Sequence, residues 1–219
     1  MSISSEIIRI KKELPQDVSL VAVSKFHPAS AIMEAYNVGQ RLFGENRPQE
    51  FAAKCKELPS DIQWHFIGHL QTNKLKMVLP YAYMVQSIDS VHLLEDVDKW
   101  GSANDKVIRV LLELHLGAEE TKHGLTMGEI KQILDNVSLY KHVRFCGLMG
   151  MATHTDNESV IRSDFSRISL FKREMMNKHP ELEEFRELSI GMSEDYHIAL
   201  EYGATIVRIG TMIFGQREY

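Results

Sequence analysis

Two rhythms alternate along the chain. Short apolar runs at 18–24, 41–43, 62–67, 82–85, 107–116, 143–148, 187–190 and 205–209 are rich in β-branched and aromatic residues and predict buried strands. Between them apolar residues return every third or fourth position. That spacing predicts helices over 29–38, 48–58, 73–79, 91–100, 126–136, 157–177 and 193–202, with a last turn over 210–214. In the longest of these, Ile161, Phe165, Ile168, Phe171 and Met175 share one face. A further helix, over 4–14, precedes the first strand. Ile3, Ile7 and Ile10, with Ile8 and Leu14, form its apolar stripe, and Pro15 ends it. Gly39 and Gly101 read as helix stops. Eight strand–helix alternations with no linker suit one (β/α)8 TIM barrel, a single α/β domain over 1–219 with an extra N-terminal helix. A doubly wound open sheet is the rival, because periodicity alone does not close a ring.

Composition removes several function classes. A content of 44% hydrophobic and 25% charged residues is ordinary for a globular domain. A net charge of −5 argues against a general nucleic-acid binder, while leaving room for a local basic pocket. No apolar run approaches the ~20 residues that span a bilayer. The first residues carry neither a positive leader nor a long apolar stretch. The expected setting is cytoplasmic, with Cys55 and Cys146 as reduced core thiols, no membrane or nucleic-acid partner, and a monomer as the unit.

Groups able to do chemistry collect where strands end. Lys25 closes the run Val21-Ala22-Val23-Ser24. An ammonium there is costly to desolvate, which favours the neutral amine that attacks an aldehyde and holds it as a Schiff base. The plain alternative is a lysine that reaches out into water. Asn46, His69, Asn73, Lys122, His123, Thr153 and His154 stand at other strand ends, on the rim where barrel sites are built. Ser189-Ile190-Gly191-Met192-Ser193 runs from a strand into a helix start. Gly191 lets the backbone approach a ligand, and Ser193 either caps the helix or turns its hydroxyl and amide to an anion. Arg208-Ile209-Gly210-Thr211 likewise ends a strand in a glycine and a hydroxyl. After the seventh and eighth strands, the two stretches occupy the common phosphate position of this fold. Arg208, between Val207 and Ile209, is paired with a carboxylate, turned outward, or a buried fork on a ligand acceptor. An arginine facing a pyridine nitrogen would leave that nitrogen unprotonated and make a poor electron sink. His65 and His69 lie four apart, but Gly68 and a strand context do not give the helical geometry of a metal pair, so no metal is expected. Met149 and Met151 read as rim packing.

Seven ordered stretches together resemble the pyridoxal 5′-phosphate (PLP) homeostasis proteins, a single-domain group similar to the barrel domain of alanine racemase. They are AVSK at 22–25, FGEN at 43–46, WHFIGHLQTNK at 64–74, KHGL at 122–125, GLMGMAT at 147–153, LSIGMSED at 188–195 and VRIGTMIFG at 207–215. The resemblance implies a fold-type III barrel whose lysine, here Lys25, holds PLP as a Schiff base. It implies a phosphate held by Ser193, Gly191, Met192, Gly210 and Thr211, an Arg208 facing the pyridine nitrogen, and Asn46, His65 and Ser189 near the cofactor. Tyr196 and His197 depart from the pattern, where many relatives would carry a methionine and a small or polar residue. The family is regarded as a PLP carrier and regulator of vitamin B6 balance without established turnover, and PLP-dependent apoenzymes are the implied recipients. A PLP-dependent amino-acid racemase is the alternative. In alanine racemase a second base comes from a carboxyl-terminal domain, for which a chain ending at Tyr219 is expected to have no room.

Overall fold

The computed structural model describes residues 2–117 and 124–215. Strands β1 (Ser19–Val23), β2 (Leu42–Glu45), β3 (Gln63–Phe66), β4 (Met84–Ile88), β5 (Ile108–Glu113), β6 (Val143–Met149), β7 (Glu187–Ser189) and β8 (Ile206–Ile209) form a closed parallel barrel in sequence order. β8 returns to β1, with Ser19 opposite Ile206 and Ala22 opposite Ile209, so the open sheet is excluded. Helix α1 (Ile3–Glu13) precedes the barrel. Helices α2 (Ala29–Asn37), α3 (Pro48–Glu57), α4 (Leu75–Val78), α5 (Val91–Ala103), α6 (Met127–Asp135), α7 (Glu158–Lys178), α8 (Tyr196–Glu201) and α9 (Thr211–Phe214) follow the strands in turn. Among the described residues no helix is long and apolar enough to cross a membrane.

The period of two in each strand builds two cores. Val21, Met84, Leu111, Cys146, Met149 and Ile206 pack against one another inside the barrel. Residues out of phase with them, such as Ala22, Phe43, Val85, Val110 and Val207, join the larger core under the helices.

Four expectations shift. Ile8 is 44% exposed, so the inward stripe of α1 rests on Ile7 and Ile10. α5 runs through Gly101 to Ala103. A Cβ at Gly101 would stand 2.7 Å from both His142 Cβ and Lys106 O, so this glycine serves close packing instead of stopping the helix. β2 and β4 reach further than the apolar runs, to Glu45 and Ile88, because their polar residues find partners within the barrel end. Finally, α8 begins at Tyr196 and not at 193. Residues 193–195 form a turn, and Asp195, not Ser193, occupies the N-cap position.

Candidate functional site

A cavity of about 620 Å³ opens at the C-terminal ends of the strands, within the roughly 300–1,000 Å³ usual for small-molecule sites. Lys25, Asn46, Met192, Ser193, Arg208, Gly210 and Thr211 all line it. Val23, Ile67, Ile161 and Ile198 supply apolar wall. His65, Ser189 and Gly191 do not line it; they lie behind the wall. Thr153, His154 and the half-exposed Met151 also line the cavity, whereas Met149 is packed inside the barrel. Thr153 gives its backbone N–H and hydroxyl to Asp164 Oδ2, at 2.9 and 2.8 Å. His69 pairs with Asp89 at 2.6 Å, and Asn73 is exposed on the turn that follows. Lys122 and His123 lie outside the described residues. No group of three or more His, Cys, Asp or Glu among the described residues is placed to hold a metal.

Lys25 sits in a turn two residues past the end of β1 and is half-buried. Arg208 is inward-facing and 4% exposed. Its Nη1 donates to Ser189 O and Ser189 Oγ, both at 2.7 Å, and its Nη2 to Gly150 O at 3.0 Å. Burial pushes the guanidinium down to about 10, against the pull of Glu113 and Asp195, so it stays charged at neutral pH. Behind it runs a buried chain. Ser189 Oγ donates to Gln86 Oε1 at 2.6 Å, and Gln86 Nε2 lies 2.8 Å from His65 Nδ1. Burial holds the His65 imidazole down near 3. A neutral ring that accepts at Nδ1 carries its proton on Nε2, which is buried without a partner. His65 and Ser189 thus reach the cavity only through Arg208.

The turn after β7 is tight. Gly191 has φ +90°, and a Cβ there would stand 2.6 Å from Ala199 Cβ. Its carbonyl accepts from Arg208 N at 3.0 Å. The Met192 N–H donates to Asp195 Oδ1 at 2.6 Å, so that amide is engaged within the turn. Burial raises the Asp195 carboxyl above its usual range, and the Met192 bond and Arg208 oppose the rise. Tyr196 is buried under the turn and donates its hydroxyl to Glu13 Oε2 at 2.9 Å, tying α8 to α1. On the far wall, Asn46 Oδ1 is buried without a partner. Gly68 allows the β2 and β3 ends to meet, since a Cβ there would lie 2.3 Å from Asn46 O.

The polar strand residues Gln86 and Glu113 belong to this end of the barrel. Their sequence signal is polarity at an inward register of an apolar strand. Glu113 is 5% exposed. Burial, and then the Asp89 carboxylate, push it up to about 7, against Arg208. A carboxyl that binds its proton more tightly folded than unfolded stabilises the fold below its ordinary value of 4.5 and loses that contribution as pH rises through about 7. Glu113→Gln keeps the shape and removes the titration. In urea unfolding, wild type is expected to lose up to about 3 kcal/mol relative to the variant across that window. Parallel pH curves would refute the assignment.

A family model described as "Alanine racemase, N-terminal domain" matches residues 2–218. The chain is 37% identical over 201 residues to a protein of Aquifex aeolicus named pyridoxal phosphate homeostasis protein, covering 91% of this chain and 87% of that one. It is 38% identical to a Schizosaccharomyces pombe protein of the same name, covering 92% and 85%. Among solved structures it resembles PipY of Synechococcus elongatus. The form without PLP gives a TM-score of 0.93 at 36% identity, and the form with PLP bound 0.91 at 35%, each covering 98% of this chain and 100% of that one.

Proposed function

Because this chain belongs to the pyridoxal phosphate homeostasis proteins, within the alanine racemase N-terminal domain family, we propose that it binds PLP and maintains its cellular supply. The aldehyde is held as a Schiff base on Lys25. The amine nitrogen forms the new bond, one water leaves, and exchange with another amine releases the cofactor. One observation carries this. The loops after β7, β8 and β1, neighbours round the ring, bring Ser193, Gly210, Thr211 and Lys25 to one cavity with Arg208 in its wall.

The residues present fit the group. The Ser193 and Thr211 hydroxyls, with the backbone at Gly210, take the phosphate. Arg208 faces the ring nitrogen. The unpartnered Asn46 amide offers a hydrogen bond to a ring substituent, its oxygen and nitrogen being interchangeable by a flip. Met192 packs its side chain at the mouth while its amide serves the turn, and Gly191 shapes that turn. His65 and Ser189 act from behind, by orienting Arg208. In this proposal the protein is a carrier and not an enzyme. The curated relatives bear a homeostasis name, and a charged arginine at the ring nitrogen weakens the electron sink that racemisation needs. The recipients are PLP-dependent apoenzymes, the unit is a monomer and the setting the cytoplasm.

The test is dialysis of the PLP-loaded protein followed by its visible spectrum. Wild type is expected to stay yellow. Ser193→Ala/Thr211→Val is expected to lose cofactor more readily, by about 1–3 kcal/mol per charged hydrogen bond removed. Unchanged retention in that variant would refute the cup. Production of D-alanine from L-alanine at about 1 per second or faster would favour a racemase.

A further inference from the structure

Lys54 stands out of pattern. It lies on the inner face of α3, with only 8% of its side chain exposed. Its ammonium donates to Ser24 O at 2.8 Å, Glu45 Oε1 at 2.7 Å and Glu50 Oε1 at 2.7 Å, which uses all three protons. The two carboxylates pass the restraint on. Glu45 Oε1 also accepts from Ser24 Oγ at 2.6 Å, and Glu50 Oε1 from the Phe26 N–H at 2.7 Å. The chain is therefore held immediately before and immediately after Lys25. Phe26 has φ +67°, a left-handed conformation that costs a residue with a side chain roughly 1–2 kcal/mol. Such a conformation persists only where its surroundings impose it. Arg47 adds to this by lying over the Phe26 ring, 4.4 Å from its centre.

Stability alone does not call for this arrangement. A buried ion pair replaced by apolar residues of similar size is often no less stable. What the knot does specify is where β1 ends and how the next residue turns over the barrel mouth.

We propose that Lys54, acting through Glu45 and Glu50, is a positioning residue for the Lys25 amine. The inference rests on Lys25 being the amine that captures PLP. Two ligands separate the amine's placement from the rest of the site. PLP reports capture. Pyridoxine 5′-phosphate has the same ring and phosphate with an alcohol in place of the aldehyde, so it reports the cup alone.

Lys54→Met keeps the stem and removes the donors. It is expected to slow Schiff-base absorbance with PLP by about tenfold or more, while pyridoxine 5′-phosphate binds within about twofold of wild type. Lys54→Met/Glu45→Gln also removes the charge that the first variant leaves buried. It is expected to match wild type in urea unfolding and still show the selective defect. Glu50→Ala, at the better exposed acceptor, is expected to show a smaller defect of the same kind. Capture at the wild-type rate by a folded Lys54 variant would overturn the inference, as would a parallel loss of both ligands. In either case capture by wild type would stand. Wild type that forms no Schiff base at all would overturn both.

Discussion

Lys25→Ala is expected to remove the yellow absorbance that wild type gains with PLP, and to leave no mass adduct after borohydride. The expected effect is all or none, because alanine offers no amine to the aldehyde. The fold should be spared. Lys25 is half-buried in a turn, outside both hydrophobic cores, so alanine there opens no cavity in either core. The residues that hold the turn, Ser24, Glu45, Glu50 and Lys54, remain. The variant should also keep affinity for pyridoxine 5′-phosphate, since Ser193, Thr211 and Arg208 are untouched. The measurement is a visible spectrum before and after borohydride, with peptide mapping of the adduct and a melting curve as control. A band of unchanged position and strength in the variant, or a wild-type adduct on another lysine, would defeat the assignment.

The barrel was legible because its signals are local. Short apolar runs and period-3.6 patterns located the eight strands and the α-helices between them, and the ring needed only the pairing of β1 with β8, which no pattern states. The ends of β2 and β4, placed too early by the apolar runs, share one cause. Glu45, Gln86 and Ser87 look like strand-ending polarity, yet each is buried with a hydrogen-bond partner, so the strand continues through them. The rim was legible for the same positional reason. Lys25, Asn46, Ser193, Arg208 and Thr211 stand at or just beyond strand ends, and all reach the cavity. What the sequence concealed is what stands behind them. Lys54 and Ser24 are 30 residues apart, and Ser189 and Gln86 are 103 apart. The first pair meets because β1 lies beside β2, which leads into α3, and the second because the ring brings β7 and β4 to face each other across its interior. The Met192 amide is a similar case. Its engagement by Asp195 depends on a turn whose shape follows from φ +90° at Gly191.

The second large effect is expected at Arg208. Arg208→Met should cost about 3–5 kcal/mol in urea unfolding. The loss leaves Ser189 O, Ser189 Oγ and Gly150 O without the donor that serves them, at a buried position. It also removes the positive charge that restrains the Glu113 and Asp195 carboxyls, which burial already pushes up. Both should rise further. A carboxyl raised in the folded state contributes stability below its ordinary value and loses it as pH climbs through the folded value. The deficit of Arg208→Met should therefore be smaller in acid and grow toward alkaline pH. Adding Glu113→Gln should recover part of it at high pH and little at low pH, a coupling that a double-mutant cycle reads directly. With Arg208 placed at the ring nitrogen as proposed, PLP retention should fall with it, while Lys25 and the Ser193 and Thr211 hydroxyls stay in place. A deficit independent of pH would separate Arg208 from the two carboxyls. A loss below about 1 kcal/mol would mean that the buried guanidinium does not organise this end of the barrel, and the chain from His65 through Gln86 and Ser189 would have nothing to position.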